Sequence, residues 1–136
     1  MAEGVKNAIA RLGLAPHPFE GWFKETDHQR GQSRNFHLLI AAGTHVPWHR
    51  LPAQVVWQYK EGDPLVLSQS SDGVTADGIR LGPQGEAKWL VPANTYQTLE
   101  TMGRWTVLEA SLTPDIPISE RIHCRENWFP GAGGRG

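Results

Sequence analysis

Short apolar segments alternate along this chain with turns rich in glycine and proline. The 136 residues include 15 Gly and 10 Pro, together with six Trp. Large rings and β-branched side chains between frequent turns favour strands over long helices. The pattern therefore predicts an all-β fold, either a sandwich or a barrel.

The predicted elements are nine strands and one short helix. An apolar face spaced i, i+3, i+4 and i+7 predicts a helix over Val5–Leu12, which Gly13 would end. Segment 118–128 fits either a short helix or an irregular arm. The predicted strands are residues 22–26, 36–41, 48–51, 55–59, 65–69, 74–81, 88–91, 96–100 and 105–112.

Length and charge exclude several classes of protein. Thirteen Lys and Arg against 14 Asp and Glu give a net charge of −1, so no basic excess favours nucleic acid or an anionic membrane. No apolar run is long enough to span a bilayer. The single cysteine, Cys124, can form neither an internal disulfide nor a Cys-based zinc site, which favours the cytoplasm. We expect one domain over residues 1–130 and a flexible tail over 131–136.

One region has the spacing of a known motif. Gly43, five residues, His49, one residue, Leu51, three residues, Val55, six residues and Gly62 follow the frame Gly-x5-His-x-His-x3-Glu-x6-Gly. That frame is the first motif of the cupin superfamily, which the chain resembles here.

Two further segments extend the resemblance. Residues 92–97, Pro-Ala-Asn-Thr-Tyr-Gln, have the frame of the second cupin motif, Pro-x-Gly-x2-His. Residues 16–26 are similar to the opening box of a largely uncharacterised cupin branch, domain of unknown function 985. The resemblance implies a double-stranded β-helix, or jelly-roll barrel, that forms a homodimer.

The sequence departs from the cupin motifs at the positions that would bind a metal ion. The resemblance implies two His and a Glu from the first motif and a His from the second as ligands. Only His49 matches, because Leu51, Val55 and Gln97 occupy the other three positions. One imidazole and one amide are a poor set for a transition metal, so we predict no metal and no cofactor. An unusual ligand set of His49, Gln97 and Glu109 remains an alternative.

The predicted site is a small pocket in the mouth of the barrel. Period-2 alternation places one set of side chains on a single face, with Gln97 opposite on the other sheet. An apolar, aromatic lining with a few polar groups suits a partly apolar organic ligand. The residues on the shared face are His49, Leu51, Val55, Trp57 and Tyr59.

His49 is the predicted centre of the chemistry. It would titrate near neutrality and move a proton, while Tyr59 or Gln97 polarises a carbonyl or hydroxyl. Glu109 would add a general acid or base if it faces the barrel, and strand alternation could equally place it outside. His37 could line the pocket or belong to the core or an interface. His49 could also be a hydrogen-bonded residue in a filled barrel.

These residues predict a metal-independent acid–base enzyme acting on a small molecule, of the isomerase, epimerase or cyclase type, which would suit specialised metabolism. Its catalytic set would be His49, Glu109 and Tyr59. Its ligand-binding set would be Leu51, Val55, Trp57, Gln97 and His37. A noncatalytic ligand-binding protein is the alternative. His17 is expected to stabilise a turn.

Overall fold

Two antiparallel β-sheets face each other in the computed structural model, which describes residues 3–132. The six-stranded sheet has the order β1-β2-β3-β10-β5-β8, and the five-stranded sheet has the order β11-β4-β9-β6-β7. The strands are β1 (Ala15–Pro16), β2 (Trp22–Gln29), β3 (Ser33–Ala41), β4 (His49–Arg50), β5 (Gln54–Gly62), β6 (Leu65–Ser70), β7 (Asp77–Leu81), β8 (Lys88–Val91), β9 (Tyr96–Thr101), β10 (Trp105–Thr113) and β11 (Ile122–His123). The predicted all-β jelly roll is confirmed. Most of the predicted tail, residues 133–136, lies outside the described residues.

The core lies between the two sheets. Strand alternation turns every second residue of β3 and β10 inward, where each meets apolar residues of the opposite sheet. The inward residues of β3 and β10 are Phe36, Leu38, Ile40, Leu108, Ala110 and Leu112, and the opposite sheet contributes Leu65, Leu67, Ile79, Leu81 and Leu99.

A second, smaller core forms on the outer face of the six-stranded sheet. The helix α1 (Val5–Leu12) has the predicted bounds and ends at Gly13, which adopts a left-handed conformation with φ 66°. Its buried Ala8 packs with Leu39 and Val107. The helix therefore covers part of the outer face.

The chain after β10 crosses the end of the barrel as an irregular arm, residues 117–129. It contains a single 3-10 turn, Ile118–Glu120, and the two-residue strand β11. Within residues 3–132, strand β11 pairs with β4 alone, through Ile122 with Arg50 and His123 with His49. Of the two structures predicted for this segment, the arm is the one that forms.

Candidate site at the mouth of the barrel

The predicted site residues converge on a small cavity between the two sheets, covered by the arm. Its volume is about 30 Å³, which is room for about two water molecules. Apolar residues form most of the wall, and the polar residues come from β4, the β1–β2 turn and the arm. The lining residues are His17, Glu20, Phe36, Leu38, His49, Leu51, Val55, Trp57, Leu99, Leu112 and Arg121.

His49 is buried, with only 3% of its surface exposed. Its Nδ1 donates a hydrogen bond to the carbonyl oxygen of Pro47 at 2.8 Å. The neutral ring therefore carries its proton on Nδ1, and Nε2 has a free lone pair. Burial, reinforced by the positive charge of Arg121, lowers the pKa of His49 to about 3. The expectation that His49 titrates near neutrality is therefore wrong.

Arg121 and Glu20 form a buried ion pair beside the cavity. Their side chains are only 4% and 3% exposed. Nη1 of Arg121 donates to Oε2 of Glu20 at 2.6 Å, and Nη2 lies 2.6 Å from Oε1. Nε of Arg121 is buried without a hydrogen-bond partner in the described part of the chain. The ring of Phe19 lies 4.8 Å from the guanidinium carbon.

The β1–β2 turn fixes the position of Glu20. Nδ1 of His17 accepts hydrogen bonds from the backbone N–H groups of Phe19 and Glu20, at 3.0 and 3.3 Å. Burial lowers the pKa of His17. Gly21 follows with φ 66°, and a Cβ there would lie 2.2 Å from the carbonyl oxygen of Leu39. The turn role predicted for His17 agrees with this geometry, and His17 also lines the cavity.

Four of the predicted pocket residues lie together with His49. Leu51, Val55 and Trp57 line the cavity. Gln97 is paired with His49 in the β4–β9 ladder, and its Oε1 accepts a hydrogen bond from Nε1 of Trp57 at 2.9 Å. Gln97 therefore faces β5 from the opposite sheet, where the motif spacing predicts it.

Tyr59 lies apart from this group. It packs against the core farther along β5, and its hydroxyl donates to the carbonyl oxygen of Gly62 at 2.5 Å. Burial is the largest cause of its raised pKa. The structure does not bring Tyr59 to the cavity, because β5 carries it beyond Trp57 along the barrel.

The placement of Glu109 and His37 in the pocket needs correction. Leu108 and Ala110 face the core, so Glu109 between them faces outward. Oε1 of Glu109 lies 3.8 Å from Nε2 of His37, its partner across the ladder, and Oε2 lies 3.9 Å from Nζ of Lys60. These side chains form a polar cluster on the outer face of the six-stranded sheet.

Glu20 and Arg121 are not among the site residues predicted from the sequence. Glu20 lies in a turn, where a carboxylate is usually exposed, so nothing in the sequence signals its burial. Arg121 lies in the arm, where no periodic pattern fixes the direction of a side chain. Its contact with Glu20 spans 101 residues of sequence.

The residues at the cupin metal positions do not fit a metal ion. Leu51 and Val55 offer no donor atom, and the amide oxygen of Gln97 is used by Trp57. Within residues 3–132 no group of three or more His, Cys, Asp and Glu could hold a metal. The alternative ligand set of His49, Gln97 and Glu109 is not assembled, because Glu109 points away from the barrel.

A larger groove lies on the other side of the arm. Its volume is about 550 Å³, within the usual range for organic ligands. It is open to solvent and contains none of the predicted site residues, so it is not the predicted pocket. Its lining is His45, Pro47, Trp48, His123, Cys124, Arg125, Glu126, Asn127 and Trp128.

Two facing antiparallel sheets with polar groups gathered at one end define a cupin-class jelly roll. The chain belongs to the family described as Cupin superfamily (DUF985), whose match covers residues 6–116. Its fold is similar to that of protein SO0799 from Shewanella oneidensis, at 18% identity and a TM-score of 0.78, over 90% of this chain and 85% of that chain. A hypothetical protein from Leishmania major is similar at 16% identity and a TM-score of 0.78, over 88% and 86%.

More distant cupins share the fold alone. Oxalate decarboxylase from Bacillus subtilis, in its W96Y form, is similar at 9% identity and a TM-score of 0.65, over 79% of this chain and 29% of that chain. No curated protein matches the sequence. Among the described residues, no helix has the length and apolar character needed to cross a membrane.

Proposed function

We propose that this chain is a small-molecule enzyme that transfers a proton at the mouth of the barrel. The observation that carries the proposal is the neutral His49, whose Nε2 lone pair is left free in a cavity that also contains the Arg121–Glu20 pair. A buried proton acceptor beside a guanidinium is a combination found at acid–base sites.

The weak basicity of His49 restricts the substrate. With a pKa of about 3, the imidazole can remove only a proton that the site itself makes more acidic. A guanidinium next to a carbonyl oxygen stabilises the negative charge that develops there when a neighbouring carbon loses its proton. His49 would take that proton on Nε2 and return it to a different carbon, which is an isomerisation. The two side chains supply every group that this step needs.

Hydrogen–deuterium exchange into a ligand tests the proposal without knowledge of the product. The protein is incubated in D2O with a panel of carbonyl compounds, and each compound is analysed by mass spectrometry. We expect the protein to catalyse deuterium incorporation into at least one compound. His49→Leu should reduce that rate by about two to four orders of magnitude, the usual contribution of a general base.

His45→Leu is the matched control, because His45 is an exposed histidine outside the cavity. It should leave the exchange rate unchanged. Full exchange activity in His49→Leu would exclude His49 as the base.

A noncatalytic ligand-binding protein is the second candidate. The low pKa of His49 and the small closed cavity favour it, because binding needs only shape and hydrogen bonds. A compound that binds and shifts signals of cavity residues, while no compound in the panel acquires deuterium, would support this candidate instead.

The predicted homodimer and cytoplasmic location remain predictions. Sedimentation velocity at micromolar concentration tests the first, and fractionation of the native cells tests the second.

A further inference from the structure

We infer that the cavity receives the hydroxyl group of an uncharged ligand, with Nε2 of His49 as hydrogen-bond acceptor and Nε of Arg121 as donor. The inference rests on the site of the proposed function and adds the class of ligand. It follows from the hydrogen-bonding capacity and the charge of the residues that surround the cavity.

The unused hydrogen-bonding capacity comes first. Nδ1 of His49 is used by Pro47, so Nε2 can only accept. Both carboxylate oxygens of Glu20 lie 2.6 Å from guanidinium nitrogens of Arg121, so Glu20 is already paired. Nε of Arg121 can only donate, and it has no hydrogen-bond partner among residues 3–132. Buried polar atoms are nearly always satisfied, so one acceptor and one donor beside one cavity indicate an occupant that both donates and accepts.

The charges of the residues around the cavity exclude an ionised group. Arg121 and Glu20 neutralise each other at 2.6 Å, and His49 and His17 both have lowered pKa values that keep them neutral at pH 7. A carboxylate or phosphate entering the cavity would be a buried charge without a partner, which is strongly unfavourable. The negative charge of the proposed reaction differs, because it forms together with the positive charge of the proton that His49 takes up. A hydroxyl group donates and accepts without carrying charge.

The size of the cavity limits what enters it. A volume of about 30 Å³ holds a hydroxyl group and its carbon, and the walls beyond it are apolar side chains such as Phe36 and Trp57. The rest of the ligand must lie toward the arm. There the ring of Phe19 is partly exposed and lies edge-on against His123 at 4.5 Å, so an apolar or aromatic body would contact an aromatic surface.

Three probes of similar shape test the inference: phenol, anisole and benzoate. Phenol can donate a hydrogen bond, anisole cannot, and benzoate is charged. Long-range proton–nitrogen NMR of the wild-type protein follows Nε2 of His49 during each titration. We expect phenol to shift this signal and to bind at least about tenfold more tightly than either analogue, since Nε2 of His49 stays unpaired with anisole.

Two variants test whether His49 causes the preference for phenol. His49→Leu should lose the preference for phenol over anisole, while His45→Leu should keep it. If His49→Leu does not fold, the three wild-type titrations decide alone. Benzoate binding as tightly as phenol, anisole binding as tightly as phenol, or a His49 signal that phenol at saturating concentration leaves unchanged would each overturn the inference.

The result of these titrations can be distinguished from the result of the deuterium-exchange test of the proposed function. Phenol selectivity without deuterium exchange in any compound supports the ligand class and contradicts the enzyme. Exchange that is confined to ionised acids supports the enzyme and contradicts the ligand class.

Discussion

The imidazole of His49 stays uncharged because water is excluded from it and a guanidinium lies nearby. In the unfolded chain the same group has an ordinary pKa near 6.5. Below that value the unfolded state binds a proton that the folded state refuses, so the free energy of unfolding falls as the pH decreases from about 6.5 toward about 3. Above pH 6.5 this contribution to stability is fully present.

We therefore expect the wild-type protein to lose stability between pH 7 and pH 4.5, by at most about 1.4 kcal/mol from His49 for each pH unit below 6.5. His49→Leu should lose less over the same interval. His17 and His123 also have lowered pKa values, so some dependence should remain in the variant. Urea unfolding at several pH values measures the difference, and equal slopes in the two proteins would contradict the assignment.

The ion pair of Arg121 and Glu20 gives a second prediction at this scale. Arg121→Met leaves the Glu20 carboxylate buried and unpaired, which should lower the free energy of unfolding by about 3–5 kcal/mol. The double variant Glu20→Met, Arg121→Met should recover most of that loss, because two apolar side chains replace two charges. Urea unfolding at pH 7 compares the three proteins. A double variant as unstable as Arg121→Met would mean that packing, rather than charge, dominates.

The sequence identifies some of the residues at the cavity and misses others. The motif spacing identifies His49, and alternation with the opposite sheet identifies Gln97. Arg121 is not found in this way, because it is joined to the site by one long-range contact from an irregular segment. Tyr59 lies on the predicted face of β5, but it is too far along the strand to reach the cavity.

Among the secondary-structure elements, β10 shows why the direction of Glu109 was ambiguous. All four residues from Trp105 to Leu108 are buried, because the sheet core lies on one side and α1 lies on the other. A strand that is buried on both faces does not alternate between polar and apolar residues, so its sequence does not show which side chains face the core. The helix and strands β6, β8, β9 and β10 were predicted within one residue of their observed bounds, whereas β2 and β5 end three residues later than predicted.

The backbone conformation of the β1–β2 turn can be tested by substitution of its glycine. Gly21→Ala and Gly31→Ala both place a side chain at positive φ, 66° and 78° respectively. Only at Gly21 would the new Cβ meet a backbone atom, the carbonyl oxygen of Leu39 at 2.2 Å, whereas nothing lies within 4 Å at Gly31. We expect Gly21→Ala to lower the free energy of unfolding by about 2 kcal/mol more than Gly31→Ala, in the range of backbone strain and overpacking. Chemical denaturation of both variants measures this, and equal losses would show that the turn relaxes.

The arm should open more readily than the sheets that it covers. It pairs with β4 through two residues only, and its backbone is held by bonds such as that from the Cys124 N–H to the carbonyl oxygen of Trp48 at 3.0 Å. The amide of Cys124 should therefore exchange with deuterium at least about tenfold faster than that of Leu108 in the central strand β10. Amide exchange followed by NMR compares them. Equal protection would mean that the arm and barrel open as one unit.

At the scale of the whole molecule, the cupin barrel persists although three metal positions carry Leu51, Val55 and Gln97. We expect Zn²⁺ or Co²⁺ to leave the Tm of the wild-type protein unchanged. The triple variant Leu51→His, Val55→Glu, Gln97→His introduces the donor types of the two cupin motifs, and a bound ion should then raise its Tm. Thermal unfolding with and without each ion tests this, with a chelator as the control. An ion-dependent rise in the wild type would show that other residues bind metal.

The strand order carries a consequence for synthesis of the protein. Strand β10 lies between β3 and β5, so the centre of the larger sheet remains unfilled until Thr113 has left the ribosome. Local hairpins can form earlier, but the barrel must close after translation of nearly the whole family-matched region, residues 6–116. A nascent chain stalled before Trp105 would expose the apolar edges of β3 and β5, and chaperones would be its first partners.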